Sequence, residues 1–304
     1  MPRWRFTTLA AACTLAALLA FVAVPSATAK QRTLNVHPGK HAIQNAIDTA
    51  RPGSVLRIHR GRYKEAPVIY KRLKLVAAGR GRPLIDARCR ARFAVEVNAS
   101  NVKLVGLKVI GADGAPGTVP SEVDFTDVSG GVVNDLVLRD TCDAEYGVNV
   151  YRAGPTDIKN SRARGFDDAG FYVGGITGTP GGAIYVRRSE AYDNNRGVII
   201  ESSAGGDIQV LENDLHDNNV VLPPPASLFA PPTGLLLNAA DGVLVQRNRV
   251  TSNGEYGLRL TADSDNNVIT ENQFLGNPVD VLDLGTGNCG SNNEFQTGDP
   301  LPPC

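Results

Sequence analysis

A unit of about 24 residues recurs along this chain, and it constrains the fold more than any other feature. An aliphatic residue is followed three positions later by a small polar one in Val186-Arg187-Arg188-Ser189, Val210-Leu211-Glu212-Asn213, Val245-Gln246-Arg247-Asn248 and Ile269-Thr270-Glu271-Asn272. Leu138-Arg139-Asp140-Thr141-Cys142 reads as an earlier copy. Five residues past each polar position stands Asn194, Asn218, Asn253 or Asn277, and then a glycine opens an alternating run: Gly147-Val148-Asn149-Val150, Gly170-Phe171-Tyr172-Val173, Gly197-Val198-Ile199-Ile200, Gly234-Leu235-Leu236-Leu237, Gly257-Leu258-Arg259-Leu260. Ser189 to Asn213 and Asn248 to Asn272 both span 24 residues, whereas Asn213 to Asn248 spans 35. The surplus of 11 equals the stretch 222–232, which holds five prolines and reads as a loop inserted into one repeat.

Three short strands per period, each bounded by Gly, Asn or Asp, leave few physical solutions. A helical solenoid needs apolar spacings of three and four over ten or more residues, and these segments alternate with period two. The expected architecture is all-β: a parallel β-helix in which each coil hydrogen-bonds to its copies above and below, and inward residues stack into a continuous core. Asp140, Asn213, Asn248 and Asn272 are then turn-formers that tolerate left-handed φ and ladder their amides. A stack has open ends that would add further strands unless covered. Residues 42–50, with Ala42, Ile43, Ala46, Ile47 and Ala50 on one face and Pro52-Gly53 beyond, predict a short amphipathic helix as the N-terminal cover.

Residues 1–29 read as a secretion signal: Arg3 and Arg5, an apolar run from Leu9 to Val24, then Ala27-Thr28-Ala29. A lipoprotein anchor at Cys13 is the weaker reading, since the apolar run continues well past it. No other stretch reaches the ~18 apolar residues of a membrane span. Residues 30–304 are expected to form one extracellular β-helix domain. Four of the five cysteines remain there, an even number for an oxidising compartment. Cys289 and Cys304 are expected to pair. Cys89 and Cys142 are not, because Cys142 falls on an inward position about two coils, some 10 Å, from the turn holding Cys89, and a disulfide needs Cα atoms within about 7 Å.

His37-Pro38-Gly39-Lys40, then Ile43-Gln44, Ala46-Ile47, Pro52-Gly53, Leu56, Ile58 and Gly61-Arg62-Tyr63-Lys64-Glu65, followed by Asn-rich coils, resembles the pectate-lyase-like superfamily of right-handed parallel β-helices. The coil from Asp167 to Gly174 is similar to one in secreted bacterial proteins of that class. The resemblance covers essentially all of residues 30–304 and implies a glycan chain lying along the outer face of the sheet built from the Gly-led strands. The superfamily spans pectate lyases, polygalacturonases, alginate epimerases and phage tailspikes, so it implies fold more narrowly than activity.

Period two directs Val148, Phe171, Val198, Leu235 and Leu258 inward and Asn149, Tyr172, Ile199, Leu236 and Arg259 outward, followed by an outer row Tyr151, Gly174, Glu201, Asn238, Thr261. Tyr151, Tyr172, Asn238 and Arg259 are the candidate glycan contacts. Elimination on a uronic polymer needs a base, a cation for the carboxylate and a donor to the leaving oxygen, for which Arg259 and Tyr172 are candidates. Hydrolysis needs two carboxylates, for which Glu201 and Asp167 or Asp168 are candidates. The pectate-lyase Arg-x-Pro-x-x-Arg, the epimerase Asp-Pro-His-Asp and the polygalacturonase Asn-x-Asp with Gly-His-Gly are absent from the sequence. The expectation is therefore a secreted binder of polysaccharide or cell-envelope glycan without established catalysis. The alternative is a lyase or epimerase on an acidic polymer, with glycoside hydrolysis as the third chemistry. Leu228 and Phe229 of the inserted loop are placed to cover Ile199 and Leu236.

His37, His41, His59 and His216 lie too far apart for a zinc site, and no cofactor is expected. The acidic turns leave room for calcium, though without the repeated Gly-Gly-x-Gly-x-Asp frame. From Lys30 to Ile110 there are 18 basic and 4 acidic residues, and from Gly111 to Cys304 there are 11 and 27, so a near-zero total hides a segregated charge. Segregation points to an anionic polymer at the basic end or to head-to-tail self-association. No aromatic-interleaved motif accompanies the arginines, so nucleic acid is not expected.

Overall fold

The computed structural model describes residues 32–114, 118–177, 181–203, 207–221 and 231–304. The proposed secretion signal and the core of the inserted loop, including Leu228 and Phe229, lie outside the described residues. Among those residues the chain winds as expected. Val55–His59 runs in a first sheet, Arg62–Tyr63 in a second and Val68–Ile69 in a third, and Lys74–Ala78 then returns beside Val55–His59. Repetition gives three sheets of eleven, nine and nine strands, every pairing parallel, and about ten coils. One inward row of the first sheet reads Leu56, Leu75, Leu104, Val133, Ile158, Val186, Val210, Val245 and Ile269, all fully buried in register.

From Ser189 on, two turns per coil are held by side-chain amides, and in the last coils Asn267 and Asn288 ladder the third turn as well. In the turn from the first sheet to the second, Oδ1 of Asn213 accepts from Ser189 N (3.0 Å), and Oδ1 of Asn248 accepts both the backbone N and Nδ2 of Asn213 (2.9 Å each). Asn272 does the same for Asn248, and Asn293 for Asn272. The second proton on Nδ2 goes to a main-chain carbonyl, Val186 for Asn213 and Val210 for Asn248 (2.8 Å each). Asn194, Asn218, Asn253 and Asn277 build an equivalent ladder in the turn from the second sheet to the third. The left-handed φ falls on the residue before each polar position of the first ladder, at Arg188 before Ser189 and at Glu212, Arg247 and Glu271 before the asparagines. The asparagine supplies hydrogen bonds instead of the strained backbone.

Asp140 belongs to neither row of amides. Leu138 pairs with Ala163 in the second sheet, so the segment 138–142 is the counterpart of the residues after Arg162 and not of Val186. The early repeats carry Asn only sparingly, and an alignment on one polar residue slipped there by one turn of the coil.

The glycines before the third-sheet strands have a steric cause. A Cβ at Gly147, Gly197 or Gly257 would stand 2.4–2.6 Å from a carbonyl oxygen of the next coil, and in the later coils one at Gly234 or Gly257 would also stand 2.6 or 2.7 Å from Nδ2 of Asn253 or Asn277. The same position in an earlier coil is Glu122, one residue before Val123, which pairs with Val148. There the facing residues are Gly111 and Ala112, at the end of the second-sheet strand Lys108–Ala112 and without an asparagine, and the Glu122 carboxylate accepts from Gly111 N (2.8 Å) and Ala112 N (3.3 Å). Burial pushes this carboxyl well above the usual range, and Asp140 and Asp86 push it further, against the two amide donors.

Both cysteine pairs are bonded: Cys289 to Cys304 as expected, and Cys89 to Cys142 contrary to expectation, with Cα atoms 5.7 Å apart. Two features carry Cys89 across the intervening coil. Asp86 pairs with Ile110 but Ala91 pairs with Ala112, so the chain bulges outward between them, with Arg88 and Cys89 both at positive φ. The bulge lies over Gly111, where a Cβ would meet Arg88 N at 2.7 Å. Cys142, half-buried, sits in a turn and not in the core. The 10 Å separation holds for regular coils, and the bulge removes it.

Both ends are closed. The helix Ala42–Thr49 covers the first coil with Ile43 and Ile47, and Glu65 accepts from the helix amides of Ile43 and Gln44 (3.0 Å each). Tyr63 donates its hydroxyl to Val36 O and His59 O. At the other end Asp280 terminates the second ladder through Oδ1 and holds the tail amides of Gln296 and Thr297 through Oδ2.

Replacing Asn248 with Ala strands the backbone N of Asn213 and a carbonyl in the core. A loss of about 2–4 kcal/mol is expected by chemical denaturation, from roughly 1–3 kcal/mol per unsatisfied buried group. Glu122→Gln tests the buried carboxyl. Because the folded pKa lies above the unfolded one, the native state binds more protons than the unfolded chain, and stability falls as pH rises from about 4.5. The variant should melt higher than the parent at pH 8, and the difference should close towards pH 4; a pH-independent difference would rule out the ionisation.

Candidate functional site

The outer face of the third sheet carries two rows in the register read from the sequence. Asn149, Tyr172, Ile199, Leu236 and Arg259 align across adjacent strands, as do Tyr151, Gly174, Glu201 and Asn238. The first row continues backwards to Asp124 and Glu96, and the second to Thr126. Tyr146, Tyr172, Ile199 and Leu236 form a small apolar cluster outside the main core, against which Tyr151 and Val119 pack.

Over this face runs an open groove of about 860 Å³. Its floor is Asp124, Thr126, Tyr146, Asn149, Tyr151 and Tyr172, with Glu201 at one end and Phe93, Glu96 and Arg92 at the other. It crosses five strands, so its length is about 19 Å at the strand spacing. Glu201 accepts from the Tyr172 hydroxyl (2.7 Å) and from Asn238 Nδ2 (2.6 Å). Asp124 accepts from Asn149 Nδ2 (2.6 Å) and from Thr126 Oγ1 (3.1 Å). Burial pushes the Asp124 carboxyl up, and these two donors pull it back. Beside the groove Asp127 pairs with Arg152, whose guanidinium lies over the Tyr151 ring at 5.0 Å.

Tyr172 is almost entirely buried. Its ring stacks on Tyr146 at 4.5 Å and leans over Gly174, where a Cβ would lie 2.3 Å from the hydroxyl. Burial, then the hydrogen bond to Glu201, push its phenol upward, away from use as a base. The half-exposed ring in the groove is Tyr151.

A smaller depression of about 170 Å³ adjoins the Glu201 end, lined by Asp168, Arg196, Ile199, Leu236, Asn238 and Arg259 among others. Asp168 pairs with Arg196 and accepts from the Tyr146 hydroxyl (3.1 Å); burial pushes its carboxyl up, against Arg196. Arg259 is half-buried, its guanidinium 5.4 Å from the Tyr256 ring centre and its Nε without a hydrogen-bond partner. Thus Tyr172, Glu201 and Asn238 are joined by hydrogen bonds, Asp168 and Arg259 share the adjoining depression, and Asp167 lies outside both linings. Burial, with the charges of Asp168 and Asp167, pushes nearby Glu145 up to about 7. Among the described residues no group of three or more His, Cys, Asp or Glu is placed to hold a metal ion.

Asp124, Arg92, Glu96, Phe93 and Tyr146 were not singled out by the repeat. The strands Phe93–Val97 and Ser121–Thr126 have Ala94 and Glu122 where later coils have glycine, so a search on Gly-led runs begins only at Gly147. The alternation Glu122-Val123-Asp124-Phe125-Thr126 was the available signal.

Solved structures confirm the architecture. The chain is similar to a protein described as XylC in complex with xylose (TM-score 0.61, 12% identity, 88% of this chain and 70% of that one). It is similar to pectate lyase Pel9A (0.59, 13%, 88% and 79%) and to an alginate lyase from Paenibacillus sp. str. FPU-7 (0.54, 14%, 90% and 99%). At these identities the likeness is one of fold. No curated protein matches in sequence. The family model described as "Right handed beta helix region" matches residues 142–297, over half of the chain. With three parallel sheets, a capping helix and amide-laddered turns already in place, the chain belongs to the right-handed β-helix family.

Proposed function

We propose that this is a secreted β-helix protein that binds a polysaccharide or cell-envelope glycan along the groove on its third sheet, without a catalytic step of its own. The observation that carries this reading is the pair Asp124 and Glu201, whose carboxylates are each fixed by two donors of the chain itself on either side of the Tyr151 and Tyr172 strands. Fixed carboxylate oxygens accept from sugar hydroxyls, and the half-exposed ring of Tyr151 offers an apolar surface to a sugar face. Glu96, Asp124, Asp127 and Glu201 against Arg92 and Arg152 around the groove favour a hydroxyl-rich, uncharged chain over a uronic one there. The disulfides and the apolar N-terminal segment support export; among the described residues no helix is long and apolar enough to cross a membrane.

The elimination chemistry has less support, since Tyr172 is engaged as a donor and its phenol is pushed away from the basic form. A second reading, glycoside hydrolysis, is favoured by Asp168 and Glu201 lining one depression with Arg259. Calorimetric titration with neutral and uronic polysaccharides separates these. Under the binding reading Tyr151→Ala weakens the glycan about three- to tenfold, matching a stacking contact of roughly 0.5–1.5 kcal/mol. Absorbance at 235 nm stays flat and no reducing ends are released. Reducing ends lost in Glu201→Gln would establish hydrolysis instead, a rise at 235 nm elimination, and an unchanged affinity in Tyr151→Ala would move the site away from this groove.

A further inference from the structure

The three sheets differ in charge. The strands of the third sheet carry Glu96, Glu122, Asp124, Glu201, Asp280 and Asp283 against Arg196 and Arg259. Those of the first carry Arg57, Lys74, Lys103, Lys159 and Arg187 against one acid, Asp157, which is already held by Lys159 and Arg187. No acid stands on its first four strands, Thr33–Val36, Val55–His59, Lys74–Ala78 and Lys103–Val105.

The register concentrates this charge. Lys74 pairs directly with Lys103 on the adjacent strand, with backbones about 4.8 Å apart. Arg57 stands on the preceding strand, and Arg51 and Arg72 are exposed beside that strand and its neighbour. Leu56, Ile58, Leu75 and Leu104 are fully buried, so the cations between them project outward. Like charges directly opposite one another across strands destabilise a sheet. The acids of this end do not relieve them. Glu65 caps the helix, Asp86 is bound to Arg62, Asp48 accepts from Gln44 and Tyr70, and Glu96 lines the groove on another sheet.

We propose that this face of the first sheet, over its four N-terminal strands, is a second binding site, for a linear anionic polysaccharide. Charge complementarity identifies the occupant: Lys74 and Lys103 about 4.8 Å apart on adjacent strands, with Arg57 one strand away and two residues further along, match a flexible chain with about one negative charge per sugar residue. The site is separate from the groove and does not depend on what the groove binds. It anchors by screened charge, so its affinity falls steeply with salt.

The test uses the purified chain with polygalacturonate, dextran sulfate and a duplex DNA oligonucleotide as probes, titrated at low and high salt. The triple variant Arg57→Gln/Lys74→Gln/Lys103→Gln should bind both polysaccharides about tenfold or more weakly at low salt, while Arg139→Gln, an exposed cation on the second sheet, binds them like the parent. The melting temperature of the triple variant should equal or exceed the parent's, because like charges are removed from exposed or half-exposed positions. If it falls, Lys103→Gln alone, at an exposed position, should still weaken binding and its salt dependence. Undiminished binding in these variants, salt-insensitive binding, or an equal loss in Arg139→Gln would overturn the proposal. A preference for the duplex over both polysaccharides would overturn it in favour of a nucleic-acid partner.

Discussion

Everything in this molecule depends on one repeat distance. Main-chain groups of each coil hydrogen-bond to the coils before and after, and that spacing is fixed by parallel strand geometry at about 4.8 Å. The turns must keep the same spacing although they make fewer main-chain hydrogen bonds between coils, such as Arg188 N to Leu211 O and Asp193 N to Asp217 O. Stacked asparagines solve this because an amide both donates and accepts: Oδ1 takes a main-chain N–H and a side-chain N–H from one neighbour, and Nδ2 gives to the next. With ends of both kinds satisfied, a buried polar column costs little where an unpaired amide would cost about 1–3 kcal/mol.

The amide column also crowds the third sheet. From Gly197 on, the asparagines stand beside the glycine that opens a third-sheet strand, where a Cβ would also meet the carbonyl of the next coil. In an earlier coil, which has no asparagine there, the same position holds Glu122, whose carboxylate reaches the amides of Gly111 and Ala112. In the later coils Asn in a turn and Gly before a strand therefore form one packed arrangement. Glu122 is its inversion, and the inversion brings a buried acid and its pH dependence.

This explains what was legible in the sequence. Residues such as Val148, Phe171, Val198, Leu235 and Leu258, with the outward set from Asn149 to Arg259, could be placed because each sits a fixed distance after a glycine that opens the strand. The groove extends towards coils with Ala94 and Glu122 in the glycine position, so Asp124 and Arg92 escaped notice while Tyr172 and Glu201 did not. The disulfide from Cys89 to Cys142 was missed because a bulge breaks the repeat locally, and periodicity carries no information at the place where it fails. The direction of Tyr172 was readable, but its loss of accessible ring surface was not. That follows from Tyr146 stacking on it and from the room left by Gly174, and both are contacts between coils.

The repeat also separates stability from function on the surface. Inward positions must be apolar in every coil, and turn positions must ladder, so neither can vary with a ligand. The outward positions are free of both demands, and along a column each coil adds one residue at a constant interval. A β-helix therefore presents linear arrays, and a polymer with a similar repeat is the natural complement. On the third sheet the array is carboxylates tied to their own donors, with tyrosines between them; on the first four strands of the first sheet it is cations without acids. Under the two proposals, these chemically different faces on one rigid stack would let the same molecule hold two different polymers at once, because neither face would have to move for the other to bind.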